Sequence, residues 1–176
     1  LYDGSPFYPN EYTLLAMAEK LGITVFGTSA NYITSLEATG IKPKTISSFP
    51  KLRTILSTGS PLVEENYDFV YTHWKKDVQL SSISGGTDLI SCFALGNPIL
   101  PVKRGELQCR GLGMKVESFD EKGEAVYDCK GELVCTQAFP SMPIYFWNDN
   151  NNKKILATYF KTFPGVWHHG DYIKIN

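Results

Sequence analysis

The sequence predicts an α/β fold, in which a slice of parallel sheet with its helices is followed by a strand-rich, distorted barrel-like subdomain. Three observations predict it. Short apolar runs alternate with helical segments through the first 96 residues, the pattern of parallel strands joined by helical crossovers. Beyond a cluster of Gly96, Pro98 and Pro101 the segments shorten and turn signals separate them, as in antiparallel sheets. The composition, 43% hydrophobic and 20% charged over 176 residues, is that of a chain able to bury a core. The expected division is therefore 1–96, the α/β part, and 97–176, the β-rich part of the same domain.

Each element has its own signal. Asn10–Leu21 reads as a helix capped by Asn10, with Leu14, Leu15, Ala18 and Leu21 on one face. Gly22 then suits the left-handed position after its end. Ile23–Phe26 is a short buried strand, and Gly27-Thr28-Ser29 a turn in which Ser29 caps a second helix ending near Ala38, before Gly40 and Pro43. Leu52–Leu56 is the next strand. Ser60-Pro61 reads as a cap with Pro at the first helical position, followed by Glu64 and Glu65 in the first turn of a helix reaching Trp74. Val78–Ile83 is a third apolar strand. Around Ile90 the pattern changes. Met114–Phe119 and Glu124–Tyr127 flank a turn at Asp120–Gly123, Gly131–Thr136 is a further strand, and a short helix lies within Asn150–Tyr159.

Composition also narrows the function. Seventeen basic against 18 acidic residues give a net charge of −1, without the basic excess of a nucleic-acid binder. No apolar run is long enough to span a membrane. No secretory signal or anchor is read, so the cytosol is the expected compartment. Cys92, Cys109, Cys129 and Cys135 read as reduced thiols because four cysteines in 176 residues is not the density of a disulfide scaffold, and the lack of a C-x-x-C pair argues against a zinc or thioredoxin-type site. His73, His168 and His169 are too scattered for a metal cluster. The chain starts at Leu1 inside what reads as a strand end and stops at Asn176 after an apolar alternation, so it reads as an internal fragment. Oligomeric state has no signature here.

Three segments could carry chemistry. Ser81–Asp88 follows an apolar strand of a parallel sheet, where ligands bind at the strands' carboxyl ends. Two glycines there allow close approach to the backbone, Thr87 offers a hydroxyl to a phosphate oxygen, and Asp88 offers a hard carboxylate to magnesium. Thr58–Pro61 joins a strand to a helix start. Trp167–Asp171 places a carboxylate after a glycine. Each has a plainer reading: a polar turn, a capped helix, an Asx turn. Neither a Walker-type phosphate loop nor a G-x-S-x-G elbow occurs.

In order and spacing, Ser84-Gly85-Gly86-Thr87-Asp88, Gly131-Glu132-Leu133-Val134, Pro140-Ser141-Met142-Pro143 with Phe146-Trp147, and Trp167-x-His169-Gly170-Asp171 resemble the acyl-adenylate-forming enzymes. This superfamily contains the acyl-CoA synthetases and luciferases. Pro-Ser-Met-Pro with the Trp-x-His-Gly-Asp end is similar to its acetoacetate-activating branch.

The resemblance implies an ATP-dependent acid–thiol ligase, with ATP, Mg2+ and coenzyme A as cofactors or cosubstrates and acetoacetate as the acid. The partners are small molecules; no nucleic acid and no membrane is expected. It implies that Thr87 contacts the α-phosphate and Asp88 holds the metal. Ser82, Ile83 and Ser84 line one face of the adenine, Gly59, Ser60 and Pro61 its other side, and Asp171 binds the ribose. Phe26, Gly27, Thr28, Gly85 and Gly86 form the acyl pocket.

The family usually has Glu where Asp88 stands, often an aromatic at Ser84, and in its acetate-activating members Trp where Gly85 stands. A glycine at 85 would leave room for a four-carbon keto acid, so Gly85→Trp is expected to favour acetate. The resemblance further implies a phosphate loop before Leu1 and a catalytic Lys in a C-terminal domain beyond Asn176. No catalytic residue is then expected within the chain, and the chain alone would be inactive. The alternatives are a ligase for another short or medium-chain acid, or a non-catalytic nucleotide-binding fragment.

Overall fold

The structure, a computed structural model, describes residues Tyr2–Asn176. It forms two compact units. One comprises the residues up to Ser84 together with Leu95–Cys109; the other comprises Gly85–Ala94 and Arg110–Asn176. The chain thus passes between units after Ser84, Ala94 and Cys109, where the sequence suggests one break near residue 96.

The first unit is built on a three-stranded parallel sheet, β1 (Val25–Ser29), β2 (Thr54–Thr58) and β3 (Gln79–Ser82), in that spatial order. Its register aligns Phe26, Ile55 and Leu80 in one row across the sheet. All three are buried, in one cluster with Leu15 and Ala18 of α1 (Thr13–Leu21), Ile33 and Leu36 of α2 (Ala30–Ala38), and Phe69 of α3 (Glu64–Phe69). This is the period-2 alternation of a strand meeting the 3.6 period of helices. A π-helical turn, Val70–Trp74, extends α3 and buries Trp74.

The caps show where local signals hold. Gly22 takes φ 59°, the left-handed end expected after α1. Ser29 Oγ accepts from the Tyr32 N–H at 3.1 Å, capping α2. Two helix starts move. Asn10 makes an Asx turn, its Oδ1 accepting from the Tyr12 N–H at 3.1 Å, and α1 begins only at Thr13. Ser60-Pro61 is not the cap of α3, which starts at Glu64 with no side-chain cap. Gly59, at φ 88°, turns the chain out of β2, and Leu62 is drawn into the core before the helix forms. Residues 27–29, expected as a turn, complete β1, because they pair in register with Leu56, Ser57 and Thr58.

A short sheet follows, in the order β4 (Ser84–Gly86), β5 (Ser91–Leu95) and β6 (Cys109–Arg110). The second unit also carries an antiparallel sheet of β7 (Val116–Phe119), β8 (Lys130–Cys135) and β9 (Trp167–Lys174). Its core joins Leu89, Phe93, Met114, Val116, Leu133, Phe139 and Trp167. The turn expected at Asp120–Gly123 forms, with the Gly123 N–H donating to the Asp120 carbonyl at 3.0 Å. Its returning arm, Glu124–Tyr127, is not a strand; it makes a single bridge, Phe119 to Ala125. Asp120 Oδ1 accepts from the Lys122 and Glu124 N–H groups, both at 2.9 Å, so those donors satisfy the turn rather than a ladder. The short helix is α4 (Lys153–Tyr159) after a 3₁₀ turn at Asn150–Asn152. Asp149 caps it with both oxygens, accepting from the N–H groups of Lys154 at 2.8 Å and Ile155 at 3.0 Å.

All four cysteines are unpaired, as the sequence suggests. Cys135 is buried and Cys129 exposed, and burial raises the Cys135 and Cys92 thiols above their ordinary pKa. Because the thiolate is the nucleophile, alkylation of the native protein is expected at Cys129 first, with Cys135 and Cys92 protected until unfolding. Peptide mass mapping after a short iodoacetamide pulse checks this; early label on Cys135 would contradict its packing.

Candidate functional site

In the first unit, the carboxyl ends of the parallel strands carry hydroxyls: Thr28 and Ser29 on β1, Ser57 and Thr58 on β2, Ser81 and Ser82 on β3. Ser29 is committed to its cap. Ser82 is buried, with its hydroxyl beside the Tyr67 phenol, whose pKa is raised, chiefly by burial. Ser57 Oγ is fully buried and has no hydrogen-bond partner among the described residues. The periodicity of β2 conceals it, since Ser57 shares the apolar face of Ile55. Gly59, Ser60 and Pro61 form an exposed loop directly after β2, and Ile83 and Ser84 are half-buried after β3.

Two residues expected to line an acyl pocket separate here. Phe26 points into the core, its ring 5.2 Å from Trp74 edge-on and 5.9 Å from Tyr32, so it packs the helices and is not a free wall. Gly27 lies on the opposite face, where a side chain would meet no atom within 4 Å. Thr28 is half-buried next to it.

In the second unit, the segment expected as a polar turn is strand first and turn second. Ser84–Gly86 is β4, and Thr87–Ile90 turns toward β5. Leu89 is fully buried and anchors the turn, while Thr87 and Asp88 are exposed. Ile90 takes φ 46°, an unfavourable backbone for a β-branched residue. Gly85 has a role that the sequence conceals. A Cβ there would lie 2.2 Å from the Ser91 carbonyl oxygen and 3.1 Å from the Cys92 Cα. Its missing side chain makes room for the backbone of β5. At Gly86 a Cβ would meet the His169 ring at 3.0 Å.

The Tyr159 hydroxyl donates to Asp88 Oδ2 at 2.5 Å. The phenol pKa is pushed up to about 12, first by burial and then by the carboxylate at its hydroxyl. The ring stacks on Trp167 at 3.7 Å and 15°, and lies parallel to His169 at 6.5 Å. Sequence reasoning missed Tyr159, which stands 71 residues from Asp88 with no motif to mark it. Asp171 was expected in a loop; it lies within β9, exposed, with Oδ2 3.6 Å from His169 Nε2. Alternation along β9 sends His168 elsewhere, to Glu132 at 2.9 Å, so the two histidines do not converge.

Among the described residues no group of three His, Cys, Asp or Glu side chains is placed to cage a metal. Asp88 nevertheless fits magnesium. The ion commonly takes one or two carboxylates and completes its shell with waters and substrate phosphates, and Asp88 Oδ1 is not taken by Tyr159. No helix among the described residues is long and apolar enough to cross a membrane.

Comparison with known proteins places this architecture. No protein-family model matches the chain. The structure superposes on an anthranilate CoA ligase solved with anthranoyl-AMP, at a TM-score of 0.81 and 16% identity, over 100% of this chain and 32% of that one. The chain therefore shares its α/β fold with part of that ligase.

A more specific likeness is to acetoacetyl-CoA synthetase. The enzyme of Streptomyces lividans superposes at a TM-score of 0.91 with 42% identity, over 99% of this chain and 27% of its own. The Xenopus tropicalis enzyme is 52% identical over 176 residues, which is 100% of this chain and 26% of that protein. The chain thus spans about a quarter of the length of the curated relatives it matches.

Proposed function

We propose that the chain forms part of the nucleotide- and acid-binding region of an ATP-dependent acetoacetate–CoA ligase. The observation that carries this reading is the 52% identity to an acetoacetyl-CoA synthetase over all 176 residues. In the reaction, a carboxylate oxygen of acetoacetate attacks the α-phosphorus of ATP and pyrophosphate leaves. The coenzyme A thiol, losing its proton, then attacks the acyl carbonyl of the adenylate, and AMP leaves.

The roles proposed are those that the resemblance to the acyl-adenylate-forming enzymes implies for these positions. Thr87, exposed at the end of β4, donates its hydroxyl to an α-phosphate oxygen. Asp88 Oδ1 holds magnesium, which when bound neutralises charge on the phosphates. Ser82, Ile83 and Ser84 contact the adenine, as do Gly59, Ser60 and Pro61, and Asp171 accepts from the ribose hydroxyls. Phe26, Gly27, Thr28, Gly85 and Gly86 are the acyl-side residues; Phe26 and Gly85 also have the packing roles described above. Four unpaired cysteines fit a reducing compartment, the cytosol.

The test is acid-dependent exchange of labelled pyrophosphate into ATP, using the full natural chain that carries this sequence. Exchange is expected with acetoacetate and little with acetate, butyrate or a medium-chain acid. Exchange only with another acid would remove the acetoacetate assignment and keep adenylation. The 176 residues alone are expected to form no acyl-CoA.

A further inference from the structure

We propose that Tyr159 is the positioning residue of Asp88: its hydroxyl holds Oδ2, leaving Oδ1 to the cation that accompanies ATP. The inference rests on the reading of Asp88 as a magnesium ligand and adds a residue to it. The argument is geometric. Asp88 is exposed on a turn, and an exposed aspartate on a turn is free to change rotamer. Here one oxygen is tied at 2.5 Å to a phenol that is itself fixed. Tyr159 ends α4, whose start is capped by Asp149. Its ring is stacked at 3.7 Å on Trp167, only 1% exposed, and Phe146 closes another side, 6.1 Å away and 77° to the ring.

A carboxylate accepts from two oxygens, so a donor on Oδ2 leaves Oδ1 available for a metal. The phenol donates only while protonated, and Asp88 Oδ2 is the acceptor its hydroxyl reaches. Outer-shell hydrogen bonds of this kind orient ligating carboxylates, and losing one typically lowers metal affinity 10–100-fold.

The experiment measures Mn2+ binding by electron paramagnetic resonance, in the presence of ATP and without acid, on the full natural chain. Tyr159→Phe keeps the stack and removes only the hydroxyl; it is expected to weaken Mn2+ binding at least tenfold. Asp88→Asn is expected to weaken it further, and adding Tyr159→Phe to Asp88→Asn is expected to change nothing more. With Mg2+ and acetoacetate, the concentration needed for half-maximal exchange should rise in parallel, with a smaller change in kcat at saturation. If Asp88→Asn weakens Mn2+ binding and Tyr159→Phe does not, Tyr159 does not position the carboxylate. If Asp88→Asn itself has no effect, the magnesium reading of Asp88 fails and this inference with it. Equal losses from Tyr159→Phe in both backgrounds would show that the hydroxyl acts on the fold and not through Asp88.

Discussion

Replacing Trp167 by Ala is expected to lower stability by about 3–5 kcal/mol, the range for deleting a buried Trp or Phe side chain. Trp167 is 1% exposed at the start of β9. Its indole stacks on Tyr159 at 3.7 Å and meets Phe139 and Phe160 edge-on at 5.4 and 5.8 Å. Truncation removes these contacts at once and leaves a cavity in the core formed with Leu89, Phe93, Met114, Val116, Leu133 and Phe139. Trp167→Phe should cost much less. The indole N–H is buried with no hydrogen-bond partner among the described residues, so the native residue already bears a desolvation penalty that Phe does not. Urea denaturation followed by tryptophan fluorescence and circular dichroism checks both variants. A loss under about 1 kcal/mol for Trp167→Ala would mean that this aromatic cluster does not hold the second unit together. The same variant should loosen Tyr159, and with it Asp88, so cation binding is expected to weaken along with stability.

That coupling marks what the sequence could and could not disclose. Features set by a few neighbouring residues were legible. Gly22 ends α1 because a left-handed residue was needed there, and Ser29 caps α2 because its hydroxyl reaches the Tyr32 N–H. The row of Phe26, Ile55 and Leu80 follows from three apolar strands in parallel register. The order of the motifs also pointed to adenylate-forming ligases, which the likeness to acetoacetyl-CoA synthetase supports.

What stayed hidden depends on distant partners. The burial of Leu62 overrode a good cap at Ser60-Pro61. Tyr159 meets Asp88 across 71 residues, and no local pattern distinguishes it from any tyrosine at a helix end. Asp171 lies in a strand because β9 pairs with β8 past a bulge between Glu132 and Val134, which no property of Gly170-Asp171 announces.

Gly85→Ala is expected to destabilise by about 1–3 kcal/mol or more, the cost of forcing atoms into a filled space. Gly27→Ala is expected to be neutral or to stabilise by about 0.4–1 kcal/mol. The contrast follows from what each new methyl would meet. At Gly85 it would lie 2.2 Å from the Ser91 carbonyl oxygen, and a backbone atom cannot swing away as a side chain can, so β4 and β5 must part. At Gly27 it would meet nothing within 4 Å, and the loss of glycine's freedom in the unfolded chain acts alone. Urea midpoints of the two variants decide the matter. A Gly85→Ala midpoint equal to that of the parent would mean that β4 and β5 do not approach this closely. The consequence for substrate choice is direct. From the sequence, a Trp at position 85 reads as a plug for the acid pocket. With the β5 backbone in that direction, Gly85→Trp is expected to lose folded protein before it selects acetate. The open face of Gly27 is the better lever: Gly27→Leu should keep the urea midpoint close to that of the parent while lowering exchange with acetoacetate relative to acetate. An unchanged acid preference in a folded Gly27→Leu protein would remove Gly27 from the acid pocket.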